Sequence, residues 1–236
     1  MRLLLFADVH ANGEALLSLQ RAERRPDAIL FAGDSVGYGP EPAQCARWLL
    51  ANATVAVRGN HDQALSANAP VNAPPELQEA ADETLAYARR LMTPDDFAAL
   101  QSWPLTATVT FGGARFYVAH GTPADPLAGN IDIATAREAD LHALFDSLDV
   151  DIILLGHTHQ PALRRLDKKL IINPGSLGQP RNGLHDVTYA VWDDGRVQIH
   201  HLHYNHDATV QRLALVPLSQ EVSGLLIGIL ETGLIE

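Results

Sequence analysis

The 236 residues, 47% hydrophobic and 19% charged, suffice to bury a full core in one domain, and no apolar stretch approaches the roughly 18 to 20 residues needed to span a bilayer. A net charge of −11 argues against a broad basic surface for gripping nucleic-acid backbone, although bound cations reverse the sign of a local site and leave an anionic substrate open. The single cysteine, Cys45, has no intramolecular disulfide partner and reads as a small core residue, which fits a reducing cytoplasm.

The opening "MRLLLFADVHANG" carries an apolar run that stops at Asp8, too short for a signal peptide, and is expected to be a buried first strand. Short apolar runs then alternate with longer helical patterns: "RLLLFA", "GEALLSLQRAER", "AILFAG", "PAQCARWLLA" and "TVAVRG". That rhythm predicts β-α-β units and a largely parallel sheet. Residues 63–104 read as helices interrupted by the proline-rich "NAPVNAPPE" and by Thr93-Pro94, an insertion expected to form a wall or lid beside the site.

Strands are expected at about 105–111 and 114–119, joined by Gly112-Gly113 as a hairpin, and a helix over roughly 134–148 leads to the strand "DIILL". Further strands are "ALRRL", "LIIN", "VTYAVW" and "RVQIHHL", so a sheet with an antiparallel second half is expected. From about 206 to 236 the chain reads as a helical tail divided at Pro217. The whole, 1–236, is expected to be one domain.

Chemistry collects immediately after the strands. Asp8 and His10 follow the first, Asp34 the second, Asn60 and His61 the third, His120 a fourth, and His157 and His159 a fifth. Loops at the carboxyl ends of strands are where open α/β sheets bind ligands. Asp8 and His10 are two apart, as are His157 and His159, and in an extended chain each pair would face one side together. Imidazole with carboxylate suits manganese, iron, zinc or nickel, and the lack of thiolates argues against a closed structural zinc site.

So many ligands call for two divalent ions, with Asp34 the candidate to bridge them and Gly33 beside it leaving room. Counting two carboxylates and a bridging hydroxide against two divalent cations leaves about one net positive charge, which attracts a phosphate ester. Imidazole binds metal only when neutral, so activity is expected to fall below about pH 6.

With these residues assembled, the sequence resembles the calcineurin-like metallophosphoesterase superfamily, whose motifs D-x-H, G-D, G-N-H-[DE], H and G-H-x-H occur here in order. The stretch "NPGSLGQPR" at 173–181 resembles the small prokaryotic phosphodiesterase branch. The resemblance implies an α/β fold, a four-layer αββα sandwich of two mixed β-sheets flanked by helices. It also implies that Asp8, His10 and His159 bind one ion, Asn60, His120 and His157 the other, and that Asp34 is shared. Manganese stands first among the metals, and a metal-bridging hydroxide would attack phosphorus in line.

On the same resemblance His61 would protonate the leaving oxygen, with Asp62 as an orienting group. The superfamily's protein phosphatases extend the second motif to G-D-x-x-D-R-G, whereas this chain reads "GDSVGYG", which favours a phosphodiesterase acting on a small phosphoester. Arg58 and Arg181 are candidates to bind substrate phosphate. Asn173, Gly175 and Ser176 either line the pocket or turn the chain, and the histidines of "HHLHYNH" at 200–206 read as a solvated edge more than as a second metal site. The alternatives are a noncatalytic interaction module on the same scaffold, a phosphomonoesterase or a nuclease. No membrane partner and no extended nucleic-acid surface are expected.

Overall fold

A computed structural model describes residues 1–235. Ten strands form two five-stranded sheets. The first comprises β1 (Arg2–Phe6), β2 (Ala28–Phe31), β3 (Val55–Ala56), β9 (Val187–Asp193) and β10 (Arg196–Leu202), in the order β10-β9-β1-β2-β3. The second comprises β4 (Thr106–Phe111), β5 (Ala114–Ala119), β6 (Ile152–Leu154), β7 (Pro161–Leu166) and β8 (Lys169–Pro174), in the order β4-β5-β6-β8-β7. Within each, three strands run parallel, β1-β2-β3 and β5-β6-β8; β9 is antiparallel to β1 and β10 to β9, and β4 and β7 are antiparallel to β5 and β8 respectively.

The period-2 alternation of each strand decides the layers. Leu3, Leu5, Leu30 and Trp192 from the first sheet pack on Phe116, Val118, Leu154 and Ile172 from the second. Residues one position away face outward: Leu4, Phe6 and Phe31 meet helical residues such as Leu16, Leu49 and Leu226. On the far side, Tyr117, Ile153 and Ile171 pack against Leu141 and Phe145. Both faces of the central strands are therefore apolar, which is why they read as unbroken hydrophobic runs. Each fully buried Leu or Phe contributes about 1.5 to 3 kcal/mol. The four-layer arrangement implied by the sequence motifs is the one observed.

Several helices start where their sequences provide a cap or a proline. In α1 (Gly13–Ala22) the Asn12 side chain accepts from the Ala15 N–H at 3.1 Å. Helix α2 (Pro42–Asn52) opens on proline, and its Arg47 forms a two-pronged pair with Asp96 at 2.8 and 2.7 Å. Helices α3 (Asn60–Ser66), α4 (Gln78–Leu91) and α5 (Pro94–Ser102) follow, with a short 3₁₀ turn at Pro75–Leu77, and Thr93 and Asp96 cap α5 reciprocally. The tail forms α7 (His206–Leu213) and α8 (Gln220–Thr232), separated around Pro217 as expected.

One boundary differs. Helix α6 spans only Glu138–Phe145 because the Asp132 carboxylate accepts from the Ala134 N–H at 2.9 Å and the Thr135 hydroxyl at 2.6 Å, holding 132–135 in a turn. Asn130 and Asp132 of the preceding loop line the cleft at the strand ends. No helix among the described residues is long and apolar enough to cross a membrane.

Candidate metal centre

All five strand-end segments meet at the carboxyl edges of the two sheets. Backbone bonds lock them together: the N–H groups of Asp8, His10 and Ala11 donate to the carbonyls of Gly33, Asp34 and Ser35, and those of Leu177 and Gly178 to Ala7 and Asp8. From the second sheet, Gly156 N–H donates to the His120 carbonyl at 2.9 Å. The extended-chain expectation for the two-apart pairs is corrected here. The strands end at Phe6 and Leu154, and beyond them Asp8, His10, His157 and His159 all adopt left-handed conformations with φ of 55°, 45°, 70° and 59°.

Asp34 does the same at φ 62°. Such conformations cost non-glycine residues about 1 to 2 kcal/mol each, and here they gather at one place. As a result His157 and His159 do not face one target: His159 Nε2 lies 3.0 Å from His10 Nε2, whereas His157 Nδ1 lies 3.2 Å from His120 Nε2.

Two carboxylates join these rings. Asp8 Oδ1 is 3.4 Å from His159 Nε2, 3.7 Å from His10 Nε2 and 4.0 Å from His120 Nε2. Asp34 Oδ2 lies between the two halves, 3.7 Å from His10 Nε2 and 3.2 Å from His120 Nε2. Asn60 Oδ1 is 3.0 Å from His120 Nε2. The structure thus brings together Asp8, His10, Asp34, Asn60, His120, His157 and His159.

The protonation of the cluster follows from what lies behind it. A backbone carbonyl can only accept, so Nδ1 of His10, His120 and His159 must carry the hydrogen donated to Val36 (3.0 Å), Ala32 (2.8 Å) and Gln179 (2.6 Å). In their neutral forms these rings all turn an Nε2 lone pair inward. Asn60 is fixed likewise: its Nδ2 donates to the Asn72 carbonyl at 2.8 Å, leaving Oδ1 aimed at the cluster.

The inward atoms are consequently acceptors facing acceptors. Asp8 is fully buried, and its Oδ1 has no hydrogen-bond partner among the described residues. Buried acceptors so arranged need protons or cations between them. Burial pushes the Asp8 carboxyl up and holds His10 and His159 well below the usual histidine range, with His157 lowered to about 4. Burial also opposes ionisation of Asp34, yet His120 and His61 beside it hold its carboxyl well below the usual range. His120, desolvated but drawn by Asp34, is raised to about 9.

Glycines make room for the bridging carboxylate. A Cβ on Gly59 would stand 2.0 Å from Asp34 Oδ1, and one on Gly33, at φ +93°, would strike the Gly59 backbone and His120. Asp62 accepts from the N–H groups of Asp34, Ser35 and Gly59 and from the Ser35 hydroxyl, at 2.6 to 3.2 Å. It therefore steadies Asp34 and does not orient His61, contrary to the sequence expectation. Burial, with Asp34 adding to it, raises the Asp62 carboxyl to about 6.

His61 lines the cleft over the cluster with its ring against Tyr38 at 4.6 Å and His10 at 5.0 Å, and its backbone N–H donates to Asp34 Oδ1 at 2.9 Å. Its Nδ1 has no hydrogen-bond partner among the described residues. Arg181 also lines the cleft, its guanidinium 5.7 Å from the Tyr38 ring centroid and bonded to Gln179 Oε1 at 2.7 and 3.2 Å. Arg58 is not brought there: its N–H donates to the Pro104 carbonyl, and it is not among the cleft residues.

Asn173 and Ser176 turn and brace the chain. Asn173 donates to the Gly156 carbonyl and the Thr158 hydroxyl, and the Ser176 hydroxyl to the Asp8 carbonyl. Sequence reasoning passed over Tyr38, Pro74, Asn130, Asp132, Thr158 and Gln160, which complete a cleft of about 230 Å³. Only Tyr38 carried a signal, as part of "GDSVGYG", where the protein-phosphatase motif departs.

Residues 1–194 match the sequence model of the calcineurin-like phosphoesterase superfamily domain. The chain belongs to that family. It is similar over 99% of both chains to a metallophosphoesterase from Sphaerobacter thermophilus, at 28% identity and a TM-score of 0.82. It shares its fold with a hypothetical protein from Pyrococcus horikoshii, at 21% identity, a TM-score of 0.85 and 98% coverage of both chains. An uncharacterized protein of Methanocaldococcus jannaschii is 25% identical over 225 residues, 86% of this chain and 87% of that one. The phosphoesterase family is hydrolytic and binds divalent metals, and the inward donor set above is of the kind that such ions take.

Proposed function

We propose that the chain is a dinuclear metal-dependent phosphodiesterase acting on a small phosphate ester. The observation that carries the reading is the 3.0 Å approach of His10 Nε2 to His159 Nε2, two nitrogens whose hydrogens are committed to carbonyls on the far sides of their rings. Next to the unpartnered Asp8 Oδ1, that pair fits a cation better than a hydrogen bond. Asp8, His10 and His159 would hold one ion and Asn60, His120 and His157 the other, with Asp34 between them. Manganese suits the nitrogen and oxygen donors, as do iron, zinc and nickel.

When bound, a pair of such ions polarises the phosphoryl oxygens and readies a water for attack at neutral pH. The chain's own residues do the rest. Arg181 presents a guanidinium to the substrate phosphate, its orientation set by Gln179 and by Tyr38 beneath it. His61, at the cleft wall, is placed to give a proton to the departing oxygen. Burial lowers its pKa, so the incoming phosphate anion has to supply the negative charge that favours its protonated form. Asp62 and Gly59 keep Asp34 in place, and Asn173 holds the 156–158 turn.

The cleft of about 230 Å³ is of a size to take a small phosphate ester. The absent Asp and Arg of the protein-phosphatase motif point the same way. The test is elemental analysis of the purified chain followed by hydrolysis of an activated phosphodiester with added Mn²⁺. Turnover that depends on the metal and is lost in Asp34→Asn is the expected result; a metal-loaded chain with no turnover on mono- or diesters would replace this reading with a noncatalytic module.

A further inference from the structure

Outside the buried cluster, His185 and Asp186, on the approach to β9, meet His203, just past β10, and ligand atoms of all three lie within 4.8 Å of one another. His203 Nδ1 is 3.1 Å and His185 Nε2 3.9 Å from the same Asp186 oxygen. His206, the first residue of α7, packs its ring beside that of His185, centroids 5.5 Å apart, with its own Nε2 3.1 Å from Asp207 Oδ1. His201 and His203 are exposed, in keeping with the solvated-edge expectation for "HHLHYNH", while the partly buried His206 packs, as does His203, beside a segment distant in sequence.

We propose that His185, Asp186 and His203, with water as the fourth ligand, form a surface zinc site that fastens the 175–186 loop to the corner between β10 and α7. Imidazoles with one carboxylate and no thiolate are a donor set that zinc takes in four-coordinate sites. His185 and His203 are about half and three-quarters exposed, so binding requires little desolvation. The loop matters to the cleft because it carries Gln179, whose carbonyl accepts the His159 Nδ1–H, and Arg181. Its outer end is otherwise tied by the Gly183 N–H to the Gly233 carbonyl at 2.9 Å. Zinc there would brace, from outside, the segment that orients one histidine and one arginine of the buried site.

The test compares the whole chain with its His185→Ala/His203→Ala variant after dialysis of both against one zinc buffer, counting zinc per chain by elemental analysis. The variant is expected to hold one ion fewer; equal counts overturn the proposal. Because the reading is a difference, it is independent of how many ions the buried centre holds, and failure of the phosphodiesterase assignment leaves it intact. Zinc at about 100 times its dissociation constant should also raise the melting temperature of the wild type about 5 to 10 °C further than that of the variant. Equal shifts would again overturn it. If the double variant fails to fold by circular dichroism, Asp186→Asn supplies the same comparison.

Discussion

The two clusters of histidine and aspartate in this molecule share residue types and differ in how they are held. At the buried cluster, His10, His120 and His159 each spend one ring nitrogen on a backbone carbonyl, and Asp34 stands on glycine and on the donors that Asp62 gathers. At the exposed cluster, the one side-chain hydrogen bond of His203 among the described residues is to Asp186, and the other rings pack loosely beside it. The first is organised before any ion arrives, with left-handed backbone as the cost; the second would be organised by the ion itself. Tight, geometry-specific binding is expected of the former and weaker, adaptable binding of the latter.

Breaking the buried side should have the largest effect. Asp34→Asn removes the carboxylate between the two halves and should lower turnover of an activated phosphodiester by more than about 10²-fold while circular dichroism stays unchanged. Next in size, Gly59→Ala forces a methyl into the space of Asp34 Oδ1 and should weaken manganese binding by about 10- to 100-fold, read by isothermal titration. The same variant should leave zinc binding at the exposed cluster unaltered, which sharpens the contrast.

Away from both clusters, Asp96→Asn loses the two-pronged Arg47 pair and should lower stability by about 1 kcal/mol at pH 7 in a urea titration. Arg47 first, and the α5 cap with it, holds the Asp96 carboxyl well below the usual range, so this contribution is present above the unfolded carboxylate range. It disappears as pH falls through the folded pKa, and the two urea midpoints should converge in strong acid. Smallest of all, His203→Ala assayed in manganese alone should change turnover by less than about twofold, because only the surface site is touched.

Much of this was legible because Asp8, Asp34, Asn60, His120 and His157 each end an apolar run long enough to read as a strand, and parallel sheets place such ends on one edge. The alternation of Leu3 and Leu5 against Leu4 and Phe6 likewise forecast a sheet covered on both faces. What stayed hidden depends on bonds between distant segments. Nothing local says that Asp62 would spend its carboxylate on Asp34, Ser35 and Gly59 and leave His61 to Tyr38. The stacking of Arg181 on Tyr38 joins positions that no spacing rule relates. The left-handed turns at His157 and His159 invert the strand rule for side chains two apart, and a short Asx turn at Asp132 was enough to take four residues from the start of α6.

The most direct measurement is anomalous diffraction from crystals of the chain grown in manganese. Two peaks roughly 3.5 to 4 Å apart, one among Asp8, His10 and His159 and the other among Asn60, His120 and His157, with Asp34 reaching both, are the predicted result. Manganese absent from this cluster at saturating concentration, or bound there as a single ion without Asp34, would contradict the dinuclear account.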